Sequence, residues 1–405
     1  MKDMRLGLLT SEFLPNWGGV GTYCVELARM LSDAIDLHVI TIGREKRGEL
    51  VYSEEKIRHL FDDKISVHFL AVSPVDDTFL YNAKMQFSTR RKLTGLVREQ
   101  GLDLVHTNFP HMPDLLLKLR RKLPFHSLTT VHTTIAGQKE GIMSSKNSFL
   151  QMDFSEKSTI LLYGGLRVAE ELYLRKSENF VTVSNWMKSQ VQQTWPFMAD
   201  TRVIHNGVDP EKFSPKARTG FLSEISDPIV LFSSRLTMAK GLNTVIHAMP
   251  KVLKENKAHF VFAGAGPKET WIHLLDKLKI DKRCYTFSGY VDYQLLPSLY
   301  AMADVFLMPS LYENLPIRIL EAMACECSVV ASNICAVPEA IKDGENGILV
   351  NPNDADGLSK AISMLLEDKD YRRRLGRNAR RTVVENFSLK TLAKEMVTIY
   401  QEVCR

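Results

Sequence analysis

Short apolar runs alternate with longer amphipathic stretches along the whole chain, and the alternation starts afresh about halfway. Runs of five or six apolar residues without polar alternation are strands covered on both faces, and the amphipathic stretches between them supply the covering helices. Such an order dictates a parallel sheet wound on both sides. In the first half, strands are expected at 5–10, 36–42, 65–72, 102–106, 127–132 and 179–184, with a helix over 22–32. A polar turn, Thr107-Asn108, is read after the fourth of these. In the second half, strands are expected at 228–233, 259–264, 285–289, 303–309 and 328–331, with a helix over 242–255. A chain of 405 residues is too long for one ordinary core, so two domains follow. The fold class is α/β, with two Rossmann-like doubly wound parallel-sheet domains. The first spans 1–200 and the second 228–387. The join at 201–227 is marked by the turn residues Asn206-Gly207, Asp209-Pro210 and Ser214-Pro215. A last helix within 388–405 is expected to pack back on the first domain.

Composition excludes several classes. An apolar share of 45% and a charged share of 24% are those of a globular protein. The net charge of +5 is spread over both halves, whereas nucleic-acid binding needs a clustered basic face. The apolar run Leu6 to Leu9 lacks a signal-peptide layout, because Ser11, Glu12 and Pro15 follow at once. No apolar stretch reaches the roughly 18 residues that span a bilayer. The six cysteines fall at irregular positions and read as buried thiols of a cytoplasmic protein.

The residues with chemical promise cluster behind strand ends, where open α/β sheets bind ligands. Glu313 follows the strand at 303–309, and Glu321 falls on the next helix. Asn314 is read as that helix's N-cap, with Pro316 in its first turn. A helix N-terminus attracts phosphate, so Glu313 needs a cationic or hydroxyl partner there. A sugar nucleotide would offer hydroxyls to both acids. The loop 233–241 brings Arg235 and Lys240 to another strand end. Arg235 can clamp two phosphate oxygens and Lys240 can act as a point charge; a solvated basic loop is the alternative. Gly264-Ala265-Gly266-Pro267 permits close approach of ligand or backbone. Gly289, Tyr290 and Val291 present backbone groups to a base or form a surface turn.

In the first half, Gly18-Gly19-Val20-Gly21 precedes a helix. It does not meet the G-x-G-x-x-G dinucleotide pattern, but a glycine pair there suits a phosphate, a sugar or a tight turn. His132 ends a strand and is a candidate functional histidine, as is His106 on a neighbouring strand. Arg90-Arg91-Lys92 is one basic cluster. Lys118, Arg120, Arg121 and Lys122, after Leu115-Leu116-Leu117, form another, read either as a membrane-facing helix or as a solvated face.

Taken in order, these loops resemble the retaining glycosyltransferases of the GT-B fold, specifically glycosyltransferase family 4. The resemblance runs from Gly18-Gly19 to the chain end. It rests on 203–209 at the join, Arg235 with Lys240, Glu313 with Glu321, 344–350 with Pro352, and Asn378-Ala379-Arg380. It implies two domains facing a cleft. It further implies that Arg235 and Lys240 bind the donor diphosphate, that Glu321 holds the ribose and that Glu313 holds donor-sugar hydroxyls. Amides around Asn314, Leu315 and Pro316 would face phosphate and sugar, although Pro316 has no N–H. Gly289 to Val291 would flank the base, Gly18 and Gly19 would approach the phosphate, and His132 would sit near the reacting sugar. Two departures bear on sugar identity: Asn314-Leu315-Pro316 replaces an aromatic and a glycine, and 334–337 is not glycine-rich.

The implied activity is metal-independent, retaining transfer of a hexose from a UDP- or GDP-sugar to a hydroxyl acceptor, with no cofactor besides that co-substrate. Arg235, Lys240 and the helix dipole would offset the phosphate charge. A lipid or growing glycan is the expected acceptor, with weak contact at the inner face of the membrane resting on the 115–122 stretch. No nucleic-acid partner is expected. A sugar-nucleotide epimerase of the same fold and a non-catalytic nucleotide-sugar binder are the alternatives.

Overall fold

A computed structural model describes residues 4–405 except 16–17, 78–79, 110–111, 121, 145–153, 219 and 221. The chain divides into two compact units. One takes the chain to Asn206, apart from 140–150, together with Leu389–Arg405; the other is built from 207–388. The break falls between Asn206 and Gly207. Arg202–Val203 is still a strand of the first sheet.

The first sheet holds β1 (Arg5–Leu9), β2 (Asp36–Lys46), β3 (Glu49–Leu50), β4 (Ile65–Pro74), β5 (Leu104–Phe109), β6 (His126–Val131), β7 (Phe180–Thr182) and β8 (Arg202–Val203). Its order is β3-β2-β1-β5-β6-β7-β8, with β4 also on β2. All pairings are parallel except β2 with β3. The chain turns from one side of the sheet to the other between β1 and β5, so the switch point lies there. The central strands are apolar on both faces, as Leu6, Leu8, Leu9, Leu104 and Val105 show. The helix Leu389–Val403 lies against the helix Gly19–Leu31 and buries Leu392, Met396 and Tyr400.

The second sheet holds β9 (Ile229–Ser233), β10 (His259–Ala263), β11 (Tyr285–Gly289), β12 (Val305–Met308), β13 (Ser328–Ser332) and β14 (Ile348–Val350). Its order is β11-β10-β9-β12-β13-β14, parallel throughout. Counted within the unit this is 3-2-1-4-5-6, the doubly wound arrangement whose switch point falls between its first and fourth strands, β9 and β12. Its core includes Phe232, Phe260 and Phe262 from the strands and Val245, Ile246 and Met249 from the helix Leu242–Glu255. Each such side chain removed from water stabilises the fold by roughly 1.5–3 kcal/mol.

Three local expectations need correction. Thr107-Asn108 is not a turn: β5 continues to Phe109, with Asn108 paired to Thr130 of β6. The pairing with β6 continues past these polar residues after that with β1 has ended at Thr107, and both residues are buried. The helix after β12 starts at Ile317, with Pro316 rather than Asn314 as its cap. Proline drives the residue before it out of the helical region, so Leu315 cannot begin the helix. Lys118 is not on a basic face. It is fully buried, pairs with Asp114 at 3.3 Å and donates to the Ser177 hydroxyl at 2.7 Å. In the stretch 115–122 only Arg120 and Lys122 are described as exposed cations, and Lys122 pairs with Glu178. Among the described residues no helix is long and apolar enough to cross a membrane.

Candidate active site

The second unit's switch point is flanked by the loops that follow β9 and β12. Gly241 ends the first loop at φ +76, and a Cβ there would lie 1.9 Å from the Pro309 carbonyl oxygen. Glycine therefore lets the two loops touch at this position. The Leu311 amide donates to the Ala239 carbonyl at 2.9 Å and fastens them further. On the other side, the Ser234 amide donates to Ala263 and the Gly264 amide to Gly289, which bring the ends of β10 and β11 into the same rim.

This contact sets the charged groups. Lys240, on a single 3-10 turn Met238–Lys240, forms an ion pair with Glu313, and Ser310 also donates to that carboxylate at 3.1 Å. The two charged side chains keep 20% and 13% of their surface, so the pair sits at the rim of the site rather than in the core. Arg235 is exposed at the start of the loop. Glu321 lies in the helix Ile317–Ala324 and is 1% exposed. Leu315 and Pro316 are buried and Asn314 half-buried, so the 314–316 turn offers backbone more than side chains. The cap residue supplies no side-chain hydrogen bond to the helix N-terminus. Gly289 has φ +69 with open space around its missing Cβ, Tyr290 stands 63% exposed beside it, and Val291 is half-buried.

Sequence reasoning missed Arg318. Its guanidinium donates to the Ser233 carbonyl at 3.2 Å and the Ser233 hydroxyl at 2.9 Å, tying the Glu321 helix to the end of β9. Burial opposes its charge, but Tyr300, Glu321 and Glu313 outweigh burial and hold its pKa above the ordinary value. Burial and the nearby Glu321 likewise push the Tyr300 hydroxyl up. Three cations and two carboxylates thus surround one switch point. The signal was a basic residue at the second position of an apolar helix, three before Glu321.

The first unit is arranged differently. The amide end of the helix Gly19–Leu31 is occupied by a carboxylate of the chain itself: the Gly21 amide donates to Glu12 at 3.1 Å, and a Cβ on Gly18 would lie 2.2 Å from the same oxygen. Gly19 has open space around it. His132 follows β6, donates from Nε2 to Asn108 Oδ1 at 3.0 Å, and meets the Tyr23 ring edge-on at 4.6 Å between centroids. His106 is a core residue rather than a site residue. Its two nitrogens reach the Tyr400 hydroxyl at 2.8 Å and the Thr130 hydroxyl at 2.7 Å. Burial pushes its pKa down to about 3.

Two doubly wound sheets in the 3-2-1-4 manner, each with polar groups at its switch point, are the architecture of a GT-B fold, and known proteins agree. The model of the family described as Glycosyltransferase Family 4 matches residues 17–212, and that described as Glycosyl transferases group 1 matches 215–382. An uncharacterised glycosyltransferase of Methanocaldococcus jannaschii, MJ1607, is 28% identical over 98% of both chains. The N-acetyl-alpha-D-glucosaminyl L-malate synthase of Bacillus anthracis is 24% identical over 96% of both. Among solved structures, sucrose-phosphate synthase from Thermosynechococcus elongatus superposes with a TM-score of 0.76 at 22% identity over 99% of both chains. Anabaena HepE in complex with UDP and glucose superposes at 0.74 and 18%, covering 98% of this chain and all of that one. The chain belongs to the GT-B glycosyltransferases of family 4 type.

Proposed function

We propose that this chain moves a hexose from a nucleoside diphosphate sugar to a hydroxyl acceptor, with retention at the anomeric carbon and without a metal ion. The observation that carries the reading is the Lys240–Glu313 pair at the β9/β12 switch point, flanked by Arg235, Arg318 and Glu321. These two charges satisfy each other. A nucleotide sugar offers a phosphate to Lys240 and hydroxyls to Glu313, so each charge exchanges one partner for another. Arg235 forks onto the diphosphate, while Glu321 accepts from the ribose diol. Gly289, Tyr290 and Val291 flank the base, and the amides around 314–316 face phosphate and sugar. Gly18 lies beside the Glu12 carboxylate that the Gly21 amide also meets, which suits a sugar hydroxyl better than a phosphate, and Gly19 leaves open space next to it.

In the transfer, the acceptor oxygen bonds to the anomeric carbon as the bond from that carbon to the phosphate oxygen breaks. The leaving diphosphate takes the acceptor proton on the same face. Fixed cations aimed at the diphosphate stabilise the charge that develops there, and this is why the site can work without a metal. His132 is assigned to the reacting sugar.

The test begins with UDP-glucose, because the HepE neighbour carries UDP and glucose, and extends to GDP- and ADP-sugars. Donors that bind raise the melting temperature by mass action. The reading expects release of nucleoside diphosphate with an acceptor present, in EDTA as without it, and a product of the donor's anomeric configuration by proton NMR. An isomerised sugar nucleotide formed from donor alone would replace the transferase by an epimerase.

A further inference from the structure

Asn108 belongs to no motif, yet it stands at the first unit's switch point. It is the last residue but one of β5, the strand next to β1, and it is 1% exposed. Its side-chain oxygen is used by the His132 Nε2–H at 3.0 Å. Its side-chain nitrogen is buried and has no hydrogen-bond partner among the described residues. Two more buried hydroxyls on neighbouring strand ends share that state, Ser11 after β1 and Thr133 after β6. Buried amide donors are normally paired. A row of polar atoms at the carboxyl ends of three adjacent strands, left over from the chain's own hydrogen bonding, is where an α/β sheet receives a ligand.

The position also governs His132. An amide oxygen cannot donate, so the imidazole nitrogen facing it must carry the proton. That leaves Nδ1 as the ring's acceptor. The Tyr23 ring against its flank restricts its rotation.

We propose that Asn108 is the positioning residue of the acceptor side. Its oxygen locks His132 as the Nε2–H tautomer, and its nitrogen donates to an oxygen of a hydroxylated acceptor beside that histidine. The proposal rests on the assignment of His132 to the reacting sugar. Ser11 and Thr133 offer hydroxyl partners to the same acceptor, which fits a polyol or sugar better than an apolar alcohol.

The experiment uses the full chain with nitrogen-15 histidine and long-range proton–nitrogen correlation above pH 8, the His132 signals being assigned by their loss in His132→Gln. The wild type shows the Nε2–H tautomer. Asn108→Leu, which keeps the branched shape and loses both polar atoms, shows a mixture, and Asn108→Asp restores Nε2–H. With the nucleotide sugar that the wild type turns over and D-glucose as the probe acceptor, Asn108→Leu lowers kcat/KM for glucose at least tenfold and leaves the donor KM within twofold. Asn108→Asp keeps the histidine fixed but lacks the amide donor, so it recovers the tautomer without recovering the glucose KM. The proposal is overturned by an Nδ1–H tautomer in the wild type, or by Asn108→Leu altering neither tautomer nor glucose kinetics. Full activity in His132→Gln would instead sink the role given to His132, while the tautomer readout still judges Asn108. The histidine spectrum itself reports whether each variant is folded.

Discussion

The two sheets are wound alike and differ in what they place at their switch points. In the second unit, Arg235, Lys240, Arg318, Glu313 and Glu321 gather behind β9 and β12. In the first, Glu12 already fills the helix end behind β1, and the remaining groups are an amide, an imidazole and two hydroxyls: Asn108, His132, Ser11 and Thr133. One architecture therefore presents two kinds of chemical surface. Charged loops suit a diphosphate, whose charge must be met before and during bond breaking. Neutral donors and acceptors suit an alcohol, which a buried charge would recognise no better at a greater desolvation cost.

The sharpest way to break this contrast is at the ion pair. Lys240→Ala should lower kcat by on the order of 100–1,000-fold, the scale found when one transition-state donor is removed. It should weaken nucleoside diphosphate binding as well, both measured by steady-state kinetics and calorimetry. An effect confined to the acceptor KM would mean that the charged switch point does not hold the donor. Next comes the contact that builds it. Gly241→Ala puts a side chain at φ +76 and 1.9 Å from a carbonyl, with a backbone cost of roughly 1–3 kcal/mol before the clash is relieved. The expected result is a lower melting temperature together with lost nucleotide binding; a fully stable, active variant would show that the loops need not touch there.

The smallest effect belongs to the neutral unit. His106 is held neutral, with a folded pKa of about 3 against about 6.5 when unfolded. As pH falls through 6.5 the unfolded chain takes a proton that the folded chain refuses, so stability is lost on acidification. From pH 7 to 5 this amounts to about 2 kcal/mol. The paired His38 and His68, also lowered chiefly by burial, act in the same sense. Urea melts of His106→Asn should show a shallower fall from pH 7 to 5 than wild type; equal slopes would contradict the buried-neutral assignment.

Legibility in the sequence followed the same divide. Strand alternation revealed the layered α/β architecture, and the helix at Leu389–Val403 lies where its apolar periodicity puts it. Charged residues in glycine- and proline-rich loops stood out because those loops follow strand ends, where open α/β sheets bind ligands. Arg318 was hidden because a basic residue inside an apolar helix reads as its solvated face. Lys118 was misread for the converse reason: a lysine in a basic run gives no sign that Asp114, four residues earlier, draws it into the core. Thr107-Asn108 reads as a turn because polar residues end most strands, whereas β5 carries on beside β6 past the end of its pairing with β1. Hydrogen-bonding sites without charge have no composition to betray them, and only the folded side chains show that Asn108 meets His132.

Hydrogen–deuterium exchange with and without a saturating nucleoside diphosphate tests the division of labour most directly. The account predicts protection in 234–241, 289–291 and 313–321, the segments around β9, β11 and β12. Protection centred on 12–21 and 105–109, with those second-unit loops unchanged, would contradict it.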